Sequence, residues 1–90
     1  MAAYTVKARP RAQRDLRRLD RQARERVLTA IRDLGRDPRP PGVTPLEGHR
    51  PYLRMRVGNY RVTYLVDDAA RVVEVARAGD RREIYRNLDL

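Results

Sequence analysis

The chain has 90 residues, enough for one small domain that buries at best roughly two-thirds of its surface on folding. It carries 21 Lys and Arg against 12 Asp and Glu, a net charge of +9 that favours a polyanionic partner such as nucleic acid, although an acidic protein would also fit. The absence of cysteine excludes disulfides and Cys-based metal sites. No apolar run could span a bilayer and no signal peptide is present, so we expect a cytoplasmic protein without membrane contact.

In chain order, residues 3–8 alternate like a strand, and Pro10 suits the first turn of a helix. Asp20 is the predicted N-cap of a second helix, which Gly35 ends as its C′ residue. Residues 36–51 hold five of the six prolines and are interpreted as an ordered connection that Val43 and Leu46 anchor to the core.

The central stretch, residues 53–66, predicts a β-hairpin around the two-residue loop Gly58-Asn59. That loop places Arg56 opposite Arg61 and Arg54 opposite Thr63. One face is then apolar, with Met55, Val57, Tyr60, Val62 and Tyr64. Like charges facing each other destabilise a sheet, so three arginines gathered on the other face indicate an anion site.

A third strand follows from Arg71 to Ala78, and a four-residue loop over residues 67–70 predicts Val73 opposite Tyr64 and Val75 opposite Val62. Glu74 then lies on the cationic face beside Thr63, where it could orient a neighbouring arginine. Gly79 ends the strand. The order β-α-α-β-β-β predicts one α+β domain over residues 1–90, with two helices packed on one face of a small antiparallel sheet.

Arginine offers a planar fork of donors that matches phosphate oxygens, and it could hold RNA or stabilise a phosphorane. No serine triad, cysteine nucleophile, P-loop or zinc spacing exists in the sequence. Asp67 and Asp68 are the one adjacent acidic pair, which a hairpin turn explains better than a two-metal site does. Catalysis would therefore use Arg and Tyr without metal or cofactor, with His49 or a loop acid as a lesser candidate.

The chain resembles the RelE/ParE toxin superfamily of bacterial toxin–antitoxin systems. The resemblance rests on two motifs: the segment Gly58-Asn59-Tyr60-Arg61-Val62-Thr63-Tyr64 and the ending Arg81-x-x-x-Tyr85. The resemblance implies the RelE branch: an endoribonuclease that cleaves ribosome-bound mRNA, inhibits translation and is silenced by a cognate antitoxin in a hetero-oligomer.

By position in the family pattern, the resemblance implies roles for individual residues. Arg61 would bind the scissile phosphate, Arg81 would aid the leaving group, and Tyr85 would act as base. Arg54 falls where relatives are basic and completes the catalytic set. The residues expected to bind substrate are Arg56, Arg77 and Tyr52.

Two positions depart from the pattern, since Tyr52 and Glu47 stand where some relatives carry a basic residue. Two alternatives stay open: a ParE-like poison of DNA gyrase with the same fold, and a non-catalytic basic module that binds an acidic antitoxin segment.

Overall fold

The computed structural model describes residues 3–80, and within them the chain forms two helices and a five-stranded sheet. The helices are α1 (Pro10–Arg18) and α2 (Arg21–Asp33). The strands are β1 (Thr5–Ala8), β2 (Thr44–Pro45), β3 (Leu53–Val57), β4 (Tyr60–Asp67) and β5 (Val72–Asp80). Among the described residues, no helix is long and apolar enough to cross a membrane.

The sheet order is β1-β5-β4-β3-β2, which confirms the predicted α+β arrangement. The sheet is mixed rather than wholly antiparallel, because β1 runs parallel to β5 while the other neighbours are antiparallel. The meander β3-β4-β5 leaves one edge of β5 open, and β1 fills it. The short strand β2 was predicted only as part of an ordered connection.

Both helices begin where the sequence predicts. Pro10 occupies the first turn of α1, where its missing N–H is not needed. Asp20 caps α2 as predicted, and its Oδ1 accepts a hydrogen bond from the Ala23 amide at 2.8 Å. The helices pack on one face of the sheet, which leaves the opposite face to the hairpin arginines. The core consists of Ala12, Leu16, Val27, Ile31, Leu34, Met55, Val62, Tyr64, Val73, Val75 and Ala78.

The register between β4 and β5 differs from the prediction by two residues. Val73 lies opposite Val66, and Val75 lies opposite Tyr64. The turn begins one residue later than expected, because β4 continues through Asp67, whose Oδ1 accepts a hydrogen bond from the Ala70 amide at 3.0 Å. A shift of two preserves the face of each side chain, so both valines still enter the core.

A β-bulge interrupts β5 where Thr63 faces Arg77 and Tyr64 faces Val75, so that Ala76 has no partner. The strand then runs on through Gly79, which was expected to end it. The segment predicted after it, with Arg81, Ile84 and Tyr85, lies outside the described residues.

Candidate nucleic-acid site

The β3–β4 hairpin holds its arginines in the predicted register. Arg56 is opposite Arg61, and Arg54 is opposite Thr63. The turn needs Gly58, whose φ of 58° lies in the left-handed region that other residues enter only at a cost. The hairpin therefore carries its three arginines on the sheet face away from the helices.

Arg61 is the central member of this cluster, and its charge is buried. The residue is 8% exposed, and its Nη1 donates to the carbonyl oxygen of Tyr60 at 3.2 Å. Within residues 3–80, no carboxylate forms an ion pair with it. A buried charge without a counter-charge is costly, so this guanidinium is suited to bind an anion.

The surroundings of Arg61 add further donors. Arg54 is half-buried and Arg56 is exposed. Thr63 is fully buried, and its hydroxyl has no hydrogen-bond partner among the residues that the structure describes. A hydroxyl in such a position can donate to an anion that reaches the cluster.

Arg77 was predicted to bind substrate, but its placement argues for a role in the fold. Its Nε donates to Oδ2 of Asp15 at 2.8 Å, and both side chains are buried. The same carboxylate oxygen accepts a hydrogen bond from the Ala78 amide at 3.1 Å. Asp15 thus joins α1 to the edge of β5 beyond the end of β1. We therefore leave Arg77 out of the proposed site.

Tyr52, also predicted to bind substrate, belongs to a network on the same face as the cluster. Arg9, at the end of β1, donates through Nη2 to the Tyr52 hydroxyl and to Oε1 of Glu74, both at 2.9 Å. The guanidinium also lies 5.5 Å from the centroid of the Tyr52 ring. The hydrogen bonds to Glu74 and to Tyr52 raise the pKa of Arg9, so it stays charged.

Arg9 was missed in the sequence, although a signal for it existed. The alternation of β1 extends one residue past the end of the strand. Lys7, within the strand, and Arg9, directly after it, therefore lie on the face opposite Val6 and Ala8. Glu74 orients an arginine as predicted, but it lies opposite Leu65 rather than beside Thr63. Beyond this network the face opens into a groove of about 610 Å³ whose charged lining consists of Lys7, Asp67, Asp68 and Glu74.

The other residues predicted for the site either lie outside the described residues or are exposed in a loop. Arg81 and Tyr85 lie outside the described residues, so their roles stay predictions. His49 is exposed in a loop, where its Nδ1 lies 3.2 Å from the carbonyl oxygen of Glu47. Among residues 3–80, no three His, Cys, Asp or Glu side chains are gathered as metal ligands.

Comparison with known proteins places this chain in a family. Residues 6–85 match the model of the ParE toxin of type II toxin–antitoxin systems. The chain belongs to the RelE/ParE superfamily of type II toxin–antitoxin toxins. No curated protein matches it in sequence.

Solved structures agree with this assignment. A chain of the RelBE2 toxin–antitoxin complex from Mycobacterium tuberculosis is 32% identical, with 90% of this chain and 94% of that one covered and a TM-score of 0.78. The archaeal RelE–RelB complex from Pyrococcus horikoshii OT3 matches at 29% identity, over 90% and 97% of the chains, with a TM-score of 0.76. The isolated RelE toxin of E. coli matches at 27% identity, over 93% of both chains, with a TM-score of 0.75.

Proposed function

We propose that this toxin is a RelE-type endoribonuclease that cleaves mRNA on the ribosome and thereby inhibits translation. The observation that carries the proposal is Arg61, a buried guanidinium without a carboxylate partner in the described part of the chain. Arg56 faces it across the hairpin, so two planar donor forks can meet the oxygens of one phosphate.

The RNA supplies its own nucleophile in this reaction. The 2′-oxygen attacks the adjacent phosphorus as its proton leaves, and the bond from phosphorus to the 5′-oxygen breaks. The leaving 5′-oxygen takes up a proton, so the products are a 2′,3′-cyclic phosphate and a 5′-hydroxyl. Arg61 and Arg54 stabilise the negative charge that develops on the phosphorane. Resemblance to the family assigns the base to Tyr85 and the leaving-group contact to Arg81.

A cognate antitoxin is the expected protein partner. Two of the similar structures are toxin–antitoxin complexes, from Mycobacterium tuberculosis and Pyrococcus horikoshii OT3. An acidic antitoxin segment that contacts the arginine cluster would neutralise it and block access of RNA. The active toxin would then act in the cytoplasm, where ribosomes and mRNA are found.

A ParE-type gyrase poison is the second candidate, and two observations favour it. The family model that matches residues 6–85 is that of the ParE toxin. Tyr52 and Glu47 also replace residues that are basic in some RelE-type relatives. In this candidate the arginines serve as a docking surface rather than as a reaction centre.

Primer extension on mRNA from cells that express the toxin distinguishes these candidates. The RNase predicts new 5′ ends within coding regions, and Arg61→Gln abolishes them. The matched control is Arg32→Gln, which removes an exposed arginine of α2 and leaves cleavage unchanged. Thermal melting of both variants confirms that they fold.

Two outcomes would contradict the endoribonuclease. Intact mRNA together with double-strand DNA breaks would establish the gyrase poison. Intact mRNA and intact DNA, with tight binding of an acidic antitoxin, would leave only a non-catalytic interaction module.

A further inference from the structure

Arg9 extends the positive charge of the arginine cluster along the sheet. Its backbone amide donates to the carbonyl oxygen of Val75 at 2.9 Å, which fixes the start of the side chain beside β5. From there the guanidinium reaches Tyr52, which is 43 positions away in sequence and directly precedes β3. The cation of Arg9, which directly follows β1, is thus held beside the strand that carries Arg54.

The sheet register places this cation in line with the cluster. Arg56 and Arg61 form the first row, Arg54 and Thr63 form the second, and Leu65 with Glu74 forms the third, next to Tyr52. Neighbouring rows are two residues apart along the strand, a distance of about 7 Å. This spacing is close to the separation of successive phosphates along an extended nucleic acid strand.

The chemistry of Arg9 and Tyr52 suits a phosphate. The Tyr52 hydroxyl accepts a hydrogen bond from Arg9 and keeps its own proton to donate. Two hydrogen bonds of Arg9 use Nη2, so Nε and Nη1 remain as donors among the contacts within residues 3–80. The Arg9 side chain is 30% exposed, and an incoming anion can therefore reach it.

We propose that Arg9 and Tyr52 form a second phosphate subsite, which binds the phosphate next to the scissile one on the same RNA strand. The inference rests on the proposed function, because it takes the Arg61 cluster as the site of the scissile phosphate. The groove that follows is lined by Lys7 but also by the carboxylates of Asp67, Asp68 and Glu74, so we place no further phosphate there.

Glu74 gives the subsite a property that a simple structural ion pair would lack. Its carboxylate orients Arg9 but also repels phosphate, and its side chain is 41% exposed. Replacement by glutamine keeps a hydrogen-bond acceptor and removes the negative charge. Glu74→Gln should therefore strengthen RNA binding, whereas Arg9→Gln should weaken it.

The test measures binding of a short 2′-O-methyl RNA by fluorescence anisotropy at several NaCl concentrations. The 2′-O-methyl groups block the nucleophile, so binding is measured whether or not the protein cleaves RNA. We expect Arg9→Gln to weaken binding by roughly three- to tenfold and to reduce the slope of log K against log salt by about 0.7, the value for one phosphate contact on a single strand. We expect Glu74→Gln to tighten binding severalfold.

Arg21→Gln is the matched control, because Arg21 also pairs with a glutamate, Glu25, but lies on α2 at the other face of the sheet. The subsite is overturned if Arg9→Gln changes the salt slope no more than this control does, or if Glu74→Gln weakens binding. A cleaving toxin with an unchanged Arg9→Gln slope would refute the subsite alone. A toxin that cuts no mRNA but shows the Arg9 effect would refute only the proposed reaction.

Discussion

Arg61 and Arg77 are both buried arginines of the sheet, and they differ in what surrounds the charge. Arg77 has Asp15 at 2.8 Å, while Arg61 has one backbone carbonyl within residues 3–80. A paired buried charge stabilises a particular geometry, whereas a buried charge without a carboxylate attracts an external anion. The sequence alone cannot separate these two cases, because the pair with Asp15 joins residues 62 positions apart.

The Asp15–Arg77 pair should be sensitive to loss of one partner. Asp15→Asn removes the negative charge that pairs with the buried Arg77 guanidinium, and we expect the free energy of unfolding to fall by about 3 kcal/mol. The double variant Asp15→Leu/Arg77→Met removes both charges and should recover most of that loss. Urea denaturation measures both. Equal losses in the single and double variants would contradict this account.

Asp68 should make stability depend on pH. Its carboxylate accepts hydrogen bonds from Arg39 at 3.0 and 3.1 Å and from the Tyr4 hydroxyl at 2.6 Å. The hydrogen bonds from Arg39 first, and from Tyr4 second, lower the pKa of Asp68. A lowered pKa in the folded state stabilises the protein above the unfolded-state pKa, and this contribution disappears as pH falls through the folded-state value.

We therefore expect Asp68→Asn to lower the melting temperature at neutral pH. The difference from the wild type should shrink as the pH falls below the ordinary pKa of an aspartate, about 3.9, and through the lowered pKa of the folded state. Asp33→Asn is the control, because Asp33 pairs with Arg36 on the surface, and such exposed pairs contribute little to stability. A difference for Asp68→Asn that persisted at the lowest pH would show that the carboxylate charge is not responsible.

Among the elements, the β3–β4 hairpin was predictable and the next strand was less so. A two-residue loop with glycine allows one register, and alternation then determines the faces. The turn after Asp67 was less certain because Arg71 adopts a φ of 55°. An arginine in the sequence does not predict this left-handed conformation. The bulge at Ala76 likewise depends on tertiary packing and has no sequence signal of its own.

Gly35 follows α2 where its C′ residue was predicted, but the structure requires glycine there for a different reason. Its φ is not in the left-handed region. A Cβ at this position would lie 3.1 Å from the carbonyl oxygen of Tyr4 and 3.2 Å from that of Arg32. The Tyr4 amide donates to the Gly35 carbonyl at 2.8 Å, so β1 and the end of α2 approach closely.

Gly35→Ala should therefore separate β1 from α2. Both neighbouring atoms belong to the backbone and cannot rotate away, so we expect a loss of about 1–3 kcal/mol in the free energy of unfolding, as in other overpacked sites. Urea denaturation measures this loss. A gain of up to about 1 kcal/mol, which reduced entropy of the unfolded chain would produce, would contradict the close approach.

At the scale of the whole molecule, the sequence predicted the net charge and the arginine cluster, but not the course that an RNA strand would follow across the sheet face. The hairpin pattern identified Arg54, Arg56 and Arg61 from local alternation. Arg9 was missed because its contact with Glu74 spans 65 positions. The roles of Arg81 and Tyr85 rest on the family resemblance, since both lie outside the described residues.

The net charge of +9 raises the question of whether RNA binds along one track or over the whole surface. The track contains Arg9, Arg54, Arg56 and Arg61, and four phosphate contacts on a single strand predict a slope of log K against log salt near about −3. The helices carry many further arginines, and their participation would steepen this slope. The carboxylate of Asp15 in α1 is buried and forms an ion pair with Arg77.

We expect the wild-type slope to stay near about −3, so that binding weakens by roughly a thousandfold for a tenfold rise in salt. The cluster arginines lie in adjacent rows of one sheet face and can contact a single strand, whereas the helix arginines are spread along α1 and α2. Anisotropy titrations of 2′-O-methyl RNA over a range of NaCl concentrations measure the slope. A value steeper than about −5, which Arg17→Gln and Arg32→Gln then reduced, would show that the helical face shares the RNA.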